Sequence, residues 1–199
     1  MRYRTLRKIT EPTAEPLTVA EAKQHLRVEH SDDDSTIENL ITSAREYVET
    51  YLDCTLMLTQ YKMTLDLFPA NIELPKSPLS TVSGYDSISL TYTTDTEATV
   101  TLSTSEYRVD SYAVPAVLRP LYGDSWPAHL ADYNSIEVTF WAGYGSTSAA
   151  VPQRIRNAML MLITHLYENR SSVQVGTVAT VVPDSMRMLL DSAKFGGYT

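Results

Sequence analysis

Cysteine is almost absent from this chain, which has one, Cys54, in 199 residues. A single cysteine excludes an intramolecular disulfide and a cysteine-based zinc site. We expect Cys54, at the end of a predicted helix, to be a small buried apolar residue. No run of about 18 apolar residues occurs, so no membrane span is expected. The basic N-terminus is not followed by an apolar core, so we also expect no secretory signal.

Motifs that carry chemistry are also missing. There is no Gly-x-Ser-x-Gly elbow, no glycine-rich phosphate loop and no His-Glu-x-x-His pair. A hard cation could be bound by His25, His30 and the acidic run Asp32–Asp34, but this run lacks the EF-hand spacing. The predicted place of the run in the first turn of a helix already explains its acidic residues. His165 and Glu168 lie three apart, without a second cluster of ligands. We therefore predict no enzymatic activity, no metal and no cofactor.

Basic residues are scarce except at one end of the chain. The formal net charge is −8, yet the first eight residues carry four cations, Arg2, Arg4, Arg7 and Lys8, and no acid. An acidic remainder argues against tight duplex binding, which depends on many phosphate contacts from Lys and Arg. The four cations could contact DNA or an acidic patch on a neighbouring protein assembly, or they could form an uninvolved, solvated tail.

Residues 17–54 are predicted to form two helices. Thr18 and Glu21 make a capping box, in which each residue's side chain accepts from the other's backbone N–H. Ser31 is expected to cap the second helix, with Asp32–Asp34 in its first turn. The second helix has one apolar stripe, made of Ile37, Leu40, Ile41, Ala44, Tyr47, Val48, Tyr51 and Leu52.

The middle of the chain, residues 55–145, is predicted to form short strands. Apolar residues alternate there with polar ones, in segments bounded by Pro and Gly residues. Five or six strands are expected, the third and fourth candidates paired as a hairpin. They span residues 60–68, 71–74, 82–92, 99–109, 116–119 and 136–141. The set favours a small sandwich or open barrel.

A third helix is predicted from Pro152, a residue favoured at the first helical position, to about Asn169. Its apolar residues cover most of its circumference, which indicates burial on all sides. We expect one face to meet a neighbouring subunit; a core helix within the subunit is the alternative. A strand or loop at 173–182 and a short last helix from Pro183 follow. The candidate inter-subunit residues are Tyr47, Tyr51, Met159, Met161 and Leu162.

The chain resembles the head–tail connector (adaptor) proteins of long-tailed phages and gene transfer agents, in the variety with a β insert. The resemblance rests on an ordered series of segments, each weakly specific alone. They are LTVAEAKQHLRV, DDDSTIENLITSAREYVETYL, Gln60 with its strand, Leu67-Phe68-Pro69, Ile72-Glu73-Leu74-Pro75, Pro78-Leu79, Trp126-Pro127, Phe140 to Gly145, Val151-Pro152 and His165 to Arg170.

The resemblance implies a structural subunit of a ring, expected to be twelvefold, beneath the portal protein in the virion neck. Such a ring closes the DNA exit channel, lets DNA pass without sequence recognition, and offers a platform for the stopper protein and tail. It implies synthesis in the bacterial cytoplasm, no membrane partner, and portal docking by the C-terminal segment. The candidate docking residues are Met186, Arg187, Leu190 and Phe195.

The expected fold class is therefore α+β. A helical connector domain (17–54 with 150–195) carries an inserted antiparallel β module (55–145), between a basic flexible arm (1–16) and a flexible tail (196–199). A competing hypothesis makes the tyrosine-rich β module a virion binding surface for a carbohydrate or host ligand.

Overall fold

The computed structural model describes residues 4–169 and 184–194. These residues form two compact units. The β unit contains the N-terminal strand and Leu58–Tyr144; the helical unit contains Thr13–Met57 and the described residues from Gly145 onward. The predicted α+β class, with antiparallel sheets, is confirmed. The expectations for 173–182, 196–199, Arg2 and Phe195 lie outside the described residues.

The helical unit contains four helices. They are α1 (Val19–Leu26), α2 (Asp34–Leu52), α3 (Gln153–Glu168) and α4 (Asp184–Asp191), with a short 3-10 turn at Ser148–Ala150. The α2 helix packs against α1, α3 and α4. The buried positions of α2 follow the predicted stripe, including Ile37, Ile41, Ala44 and Val48. Apolar residues at this spacing fall on one face, and that face is the one the other helices cover.

The capping box predicted for α1 is present. The Thr18 hydroxyl accepts from the Glu21 backbone N–H, and the Glu21 carboxylate accepts from the Thr18 backbone N–H at 2.8 Å. That backbone N–H is the main cause that lowers the pKa of Glu21; partial burial opposes it, while the Thr18 hydroxyl and Arg156 add to it. Arg156 also donates to the carbonyl of Pro16, so α3 is tied to the start of α1.

Two predicted helix starts are wrong in detail. The α2 helix begins at Asp34 with Asp33 as its N-cap, so Ser31 is not the cap; instead its carbonyl accepts from the Asp34 N–H at 3.2 Å. Lys23 reaches Asp34 at 2.6 Å, which favours a start at this residue. Pro152 is the N-cap of α3 rather than its first helical residue, with an extended ψ of 134°.

The β unit contains two antiparallel sheets. Five strands form one sheet in the order β1-β2-β8-β4-β5, and three form the other in the order β3-β7-β6. The strands are β1 (Thr5–Thr10), β2 (Thr59–Leu65), β3 (Ile72–Leu74), β4 (Ser89–Thr93), β5 (Thr99–Thr101), β6 (Tyr107–Asp110), β7 (Ala116–Pro120) and β8 (Ile136–Ala142).

One apolar core lies between the two sheets. Burial alternates residue by residue along β8, so Val138 and Phe140 point into the core. Leu118 and Ile72 of the smaller sheet join the same cluster. Tyr107 is also buried there; burial raises the pKa of its phenol, whose hydroxyl donates to the Ile88 carbonyl. Of the two architectures that the alternating pattern favours, a sandwich or an open barrel, this shared core corresponds to the sandwich.

Two predictions for the β zone need correction. The expected arm at 1–16 contains strand β1, whose Thr5–Thr10 pairs antiparallel with β2. The hairpin predicted from 82–92 and 99–109 exists only as β4 and β5, because Tyr107–Asp110 pairs with β7 in the other sheet. The sequence did not predict β1 because this strand has few apolar residues and therefore no alternation of apolar and polar residues.

Candidate functional site

The candidate inter-subunit residues fall into two groups. Met159 and Leu162 are 0% and 3% exposed and belong to the core of the helical unit, so they do not offer a surface to a neighbour. Met161 is half-buried on the same helix. The expectation that α3 would keep a face for a neighbouring subunit is wrong for Met159 and Leu162, because the other helices of its own unit already cover that side.

Tyr47 and Tyr51 lie on adjacent turns of α2 with their rings stacked, centroids 6.2 Å apart. The Tyr51 hydroxyl donates to Asp191 at 2.9 Å, and the Lys194 ammonium lies 4.5 Å from the Tyr51 ring centroid. Lys194 and then Tyr51 lower the pKa of the Asp191 carboxyl by stabilising its charge. Tyr51 therefore fastens α4 to α2 within the subunit, while Tyr47 remains 36% exposed.

The three candidate portal-docking residues that the structure describes lie on opposite faces of α4. Met186 and Leu190 are both 0% exposed and anchor α4 in the helical unit, so docking by these two side chains is not supported. Arg187 is on the exposed face. Its neighbour Met188, which the sequence reasoning did not select, is 73% exposed there. The amphipathic spacing of Met186 and Leu190 could have shown which face is buried.

Arg7 and Lys8 lie on β1, at one edge of the larger sheet, and Arg4 comes directly before that strand. Arg4 pairs with Asp66 at 3.0 Å and lies 4.1 Å from the Tyr133 ring centroid. Lys8 approaches Glu11 at 3.4 Å. Arg7 is exposed and borders a cleft of 260 Å³ on the outer face of the sheet, where Lys62 and Glu137 form an ion pair of 2.8 Å. These pairs are exposed, so each contributes little stability.

Sequence reasoning missed a second basic feature. Arg108 of β6 and Arg119 of β7 are paired residues in the smaller sheet, and both are exposed. Like charges directly opposite each other across two strands are destabilising. The strand register brings the two residues together, since they are eleven positions apart in the chain. The pair is a local concentration of positive charge on an acidic protein.

Three of the residues considered for chemistry have structural contacts. Asp34 pairs with Lys23, and the Tyr167 hydroxyl donates to Asp33. His165 lies beside Asn169 at the end of α3. Among residues 4–169 and 184–194, no group of three His, Cys, Asp or Glu side chains could hold a metal ion. None of the helices within those ranges combines the length and apolar character that a bilayer crossing requires.

Chains in solved structures of gene transfer agent (GTA) particles are similar to this fold. A chain from the neck of an empty GTA particle, computed with C6 symmetry, superposes with a TM-score of 0.72 at 19% identity over 98% of this chain and 100% of that one. A chain from the virion of a native GTA particle superposes with a TM-score of 0.73 at 20% identity, over 96% of this chain and 98% of that one. A chain from the neck of a native GTA particle, computed with C12 symmetry, superposes with a TM-score of 0.71 at 20% identity, over 98% of this chain and 100% of that one.

The chain therefore shares its α+β fold with these GTA chains. No curated protein matches it at a significant level of sequence similarity. The family model described as phage gp6-like head-tail connector protein matches residues 16–120, more than half of the chain. This protein belongs to the phage gp6-like head-tail connector family.

Proposed function

We propose that copies of this chain assemble into a ring beneath the portal protein of a tailed phage or gene transfer agent. The ring closes the DNA exit channel and presents the platform to which the stopper and then the tail attach. The family match over residues 16–120 carries the proposal, and the likeness to neck chains from particles computed with C6 and C12 symmetry supports it. DNA passes through the ring without being read, as an acidic protein with few cations would allow.

Contacts between neighbouring helical units would use exposed side chains rather than the core of α3. Tyr47 is the candidate with the most exposed surface, and Met161 is half-buried. Tyrosine combines a large apolar ring with a hydroxyl, which suits the centre of an interface. Burial of such surfaces contributes about 25 cal/mol per Å² before the cost of association is subtracted.

Deletion of this gene in a producer strain tests the ring proposal. We expect electron micrographs of the lysate to show full-sized heads without tails, with DNA leaking or lost, since the platform for the stopper would be missing. Complementation with the intact gene should restore tailed particles. Normally tailed particles in normal yield would contradict the proposal.

Portal docking is assigned to the exposed face of α4 together with Phe195. Arg187 offers a cation and Met188 an adaptable apolar side chain on that face, while Met186 and Leu190 hold the helix in place. The chain segment from Pro183 onward corresponds in position to the docking tail implied by the family resemblance.

The double variant Arg187→Glu/Met188→Ser is expected to lose most portal co-purification, because it reverses the charge and removes the apolar contact without touching the buried face of α4. Pull-down with tagged portal protein measures this. Ser185→Gln, exposed on the same helix, is the matched control and should bind as the parent does. Equal recovery of all three proteins would contradict docking by this face.

The alternative function is recognition of a carbohydrate or host surface by the β unit. Tyr112 and Tyr122 favour it, since both are 97% exposed and exposed aromatic rings can stack on sugars. In that case the gene deletion should leave tails attached and reduce adsorption of particles to host cells. The two functions therefore give opposite results in one experiment.

A further inference from the structure

The larger sheet of the β unit has two edges. Strand β1 pairs with β2 and strand β5 pairs with β4, and within the described residues neither has a second partner strand. An edge strand presents unpaired backbone N–H and C=O groups that can template pairing with another chain. Each edge also shows an exposed apolar side chain, Ile9 at 49% on β1 and Val100 at 39% on β5.

The two edges carry opposite charge. Arg4, Arg7 and Lys8 lie at the β1 edge. The turn between β4 and β5 carries Asp95 and Glu97, both exposed, and the chain has no Lys or Arg from residue 77 to residue 107. Like charges disfavour pairing of β1 with β1 or of β5 with β5, whereas β1 and β5 attract each other. The charges thus select one kind of contact.

The strand directions fit the same contact. Every neighbouring pair in the sheet is antiparallel, so β1 and β5, four steps apart, run in the same direction. A ring of many subunits rotates each copy by a small angle, so β5 of one copy and β1 of the next would lie roughly parallel. The start of β1 would then lie beside the start of β5, where the acidic turn is. A head-to-tail contact of this kind closes into a ring when the rotation permits.

We propose that the β1 edge of one subunit pairs with the β5 edge of the next copy of this chain and extends the sheet from subunit to subunit. This inference rests on the ring proposed above and adds a subunit contact through the β unit to the helical-unit contacts proposed there. The basic strand serves as half of a protein interface. DNA phosphates, which could also attract these cations, are an outcome of the test.

Disulfide trapping tests the contact. Thr5 and Thr99 begin the two strands and lie on the same face, since Thr5 aligns across the sheet through Thr64, Glu137 and Thr91 with Thr101. Four strand spacings put β1 and β5 of one subunit about 19 Å apart. A disulfide requires Cα atoms within about 7 Å, so the two cysteines cannot join inside one subunit.

The experiment uses particles from a producer that carries the full chain with Cys54→Ala, Thr5→Cys and Thr99→Cys. A parallel strain with Thr101→Cys in place of Thr99→Cys covers the next register. After mild oxidation, a non-reducing immunoblot should show a ladder at multiples of the subunit mass that collapses on reduction. Either single-cysteine chain, and a chain pairing Thr99→Cys with Thr139→Cys on the central strand β8, should give no ladder.

A blot with monomer only, from particles that still carry tails, would overturn the edge contact and leave the ring itself standing. Normally tailed particles after gene deletion would instead overturn the ring. If the cysteine variants do not enter particles, charge-reversal variants test the contact instead. A producer carrying Arg7→Glu/Lys8→Glu should lose most of its tailed particles. Adding Asp95→Lys/Glu97→Lys to the same chain should restore them. If the added substitutions do not restore tailed particles, the edge contact is overturned. Tailed particles that only lose DNA would also overturn it and would assign the cations to DNA.

Discussion

Replacement of Arg45 by methionine is expected to destabilise the helical unit by about 3–5 kcal/mol, the usual cost of removing one partner from a buried charge pair. Arg45 is 5% exposed, on α2. Its guanidinium donates to Glu15 at 2.8 Å and to Glu49 at 3.2 Å. Burial works against the charged form of Arg45, but hydrogen bonding and attraction to the two carboxylates raise its pKa overall.

The effect is large because Arg45 joins three segments. Glu15 belongs to the segment before α1, and Glu49 accepts from the Leu56 backbone N–H at 2.9 Å in the segment after α2. Without the guanidinium, two carboxylates remain close together with no opposite charge. Methionine fills part of the volume but offers neither oxygen a donor.

Urea unfolding followed by circular dichroism at 222 nm measures the change. Arg187→Met, which replaces an exposed arginine on α4, is the control and should change the free energy of unfolding by about 0.5 kcal/mol or less. The triple variant Arg45→Met/Glu15→Gln/Glu49→Gln should recover part of the loss, since it removes the unpaired charges. An Arg45→Met protein as stable as the parent would contradict the role assigned to this triad.

Phe140→Ala is expected to destabilise the β unit by about 3–5 kcal/mol, the range for truncating a buried phenylalanine. Phe140 is 0% exposed at the centre of the core between the two sheets, and its ring stacks on Tyr61 with centroids 5.9 Å apart. Its strand, β8, is the middle strand of the larger sheet and cannot move away to close the cavity.

Amide hydrogen exchange locates this change. Protection should fall along β2, β8 and β4, the strands that share the cavity. Tyr122→Ala removes an aromatic ring that is 97% exposed and should leave protection unchanged. If exchange in Phe140→Ala rose only in the helices, the assignment of this residue to the β core would be wrong.

Local sequence signals predicted the elements that combine a periodic apolar pattern with a residue that caps or ends the element. The capping box at Thr18 and Glu21 locates α1 correctly. The alternation along Ile136–Ala142 gives both the strand and its buried face. The sequence did not locate the start of α2, because Ser31, Asp32 and Asp33 are all good capping residues and an ion pair between Lys23 and Asp34 adds a tertiary contribution.

Features that depend on distant partners were not predictable from local pattern. Strand β1 exists because β2 (Thr59–Leu65) offers it an edge to pair with, and the sequence of β1 itself is mostly polar. Apolar composition indicated burial of α3 but could not say whether the cover came from the same chain, which left Met159 and Leu162 among the surface candidates. The opposed pair Arg108 and Arg119 is set by strand register alone.

The places where the chain leaves and re-enters the helical unit are neighbours. Met57 and Gly145, the last and first helical-unit residues around the insertion, form a β-bridge, and Thr59 pairs with Ala142 just inside the β unit. Evolution can therefore lengthen, shorten or exchange the 58–144 segment at a single point without rerouting the helices. Strand β1 limits that freedom, because it reaches the same sheet from the other side of the sequence. A transplanted β unit would need to carry both pieces, or its β2 would be left as an uncovered edge.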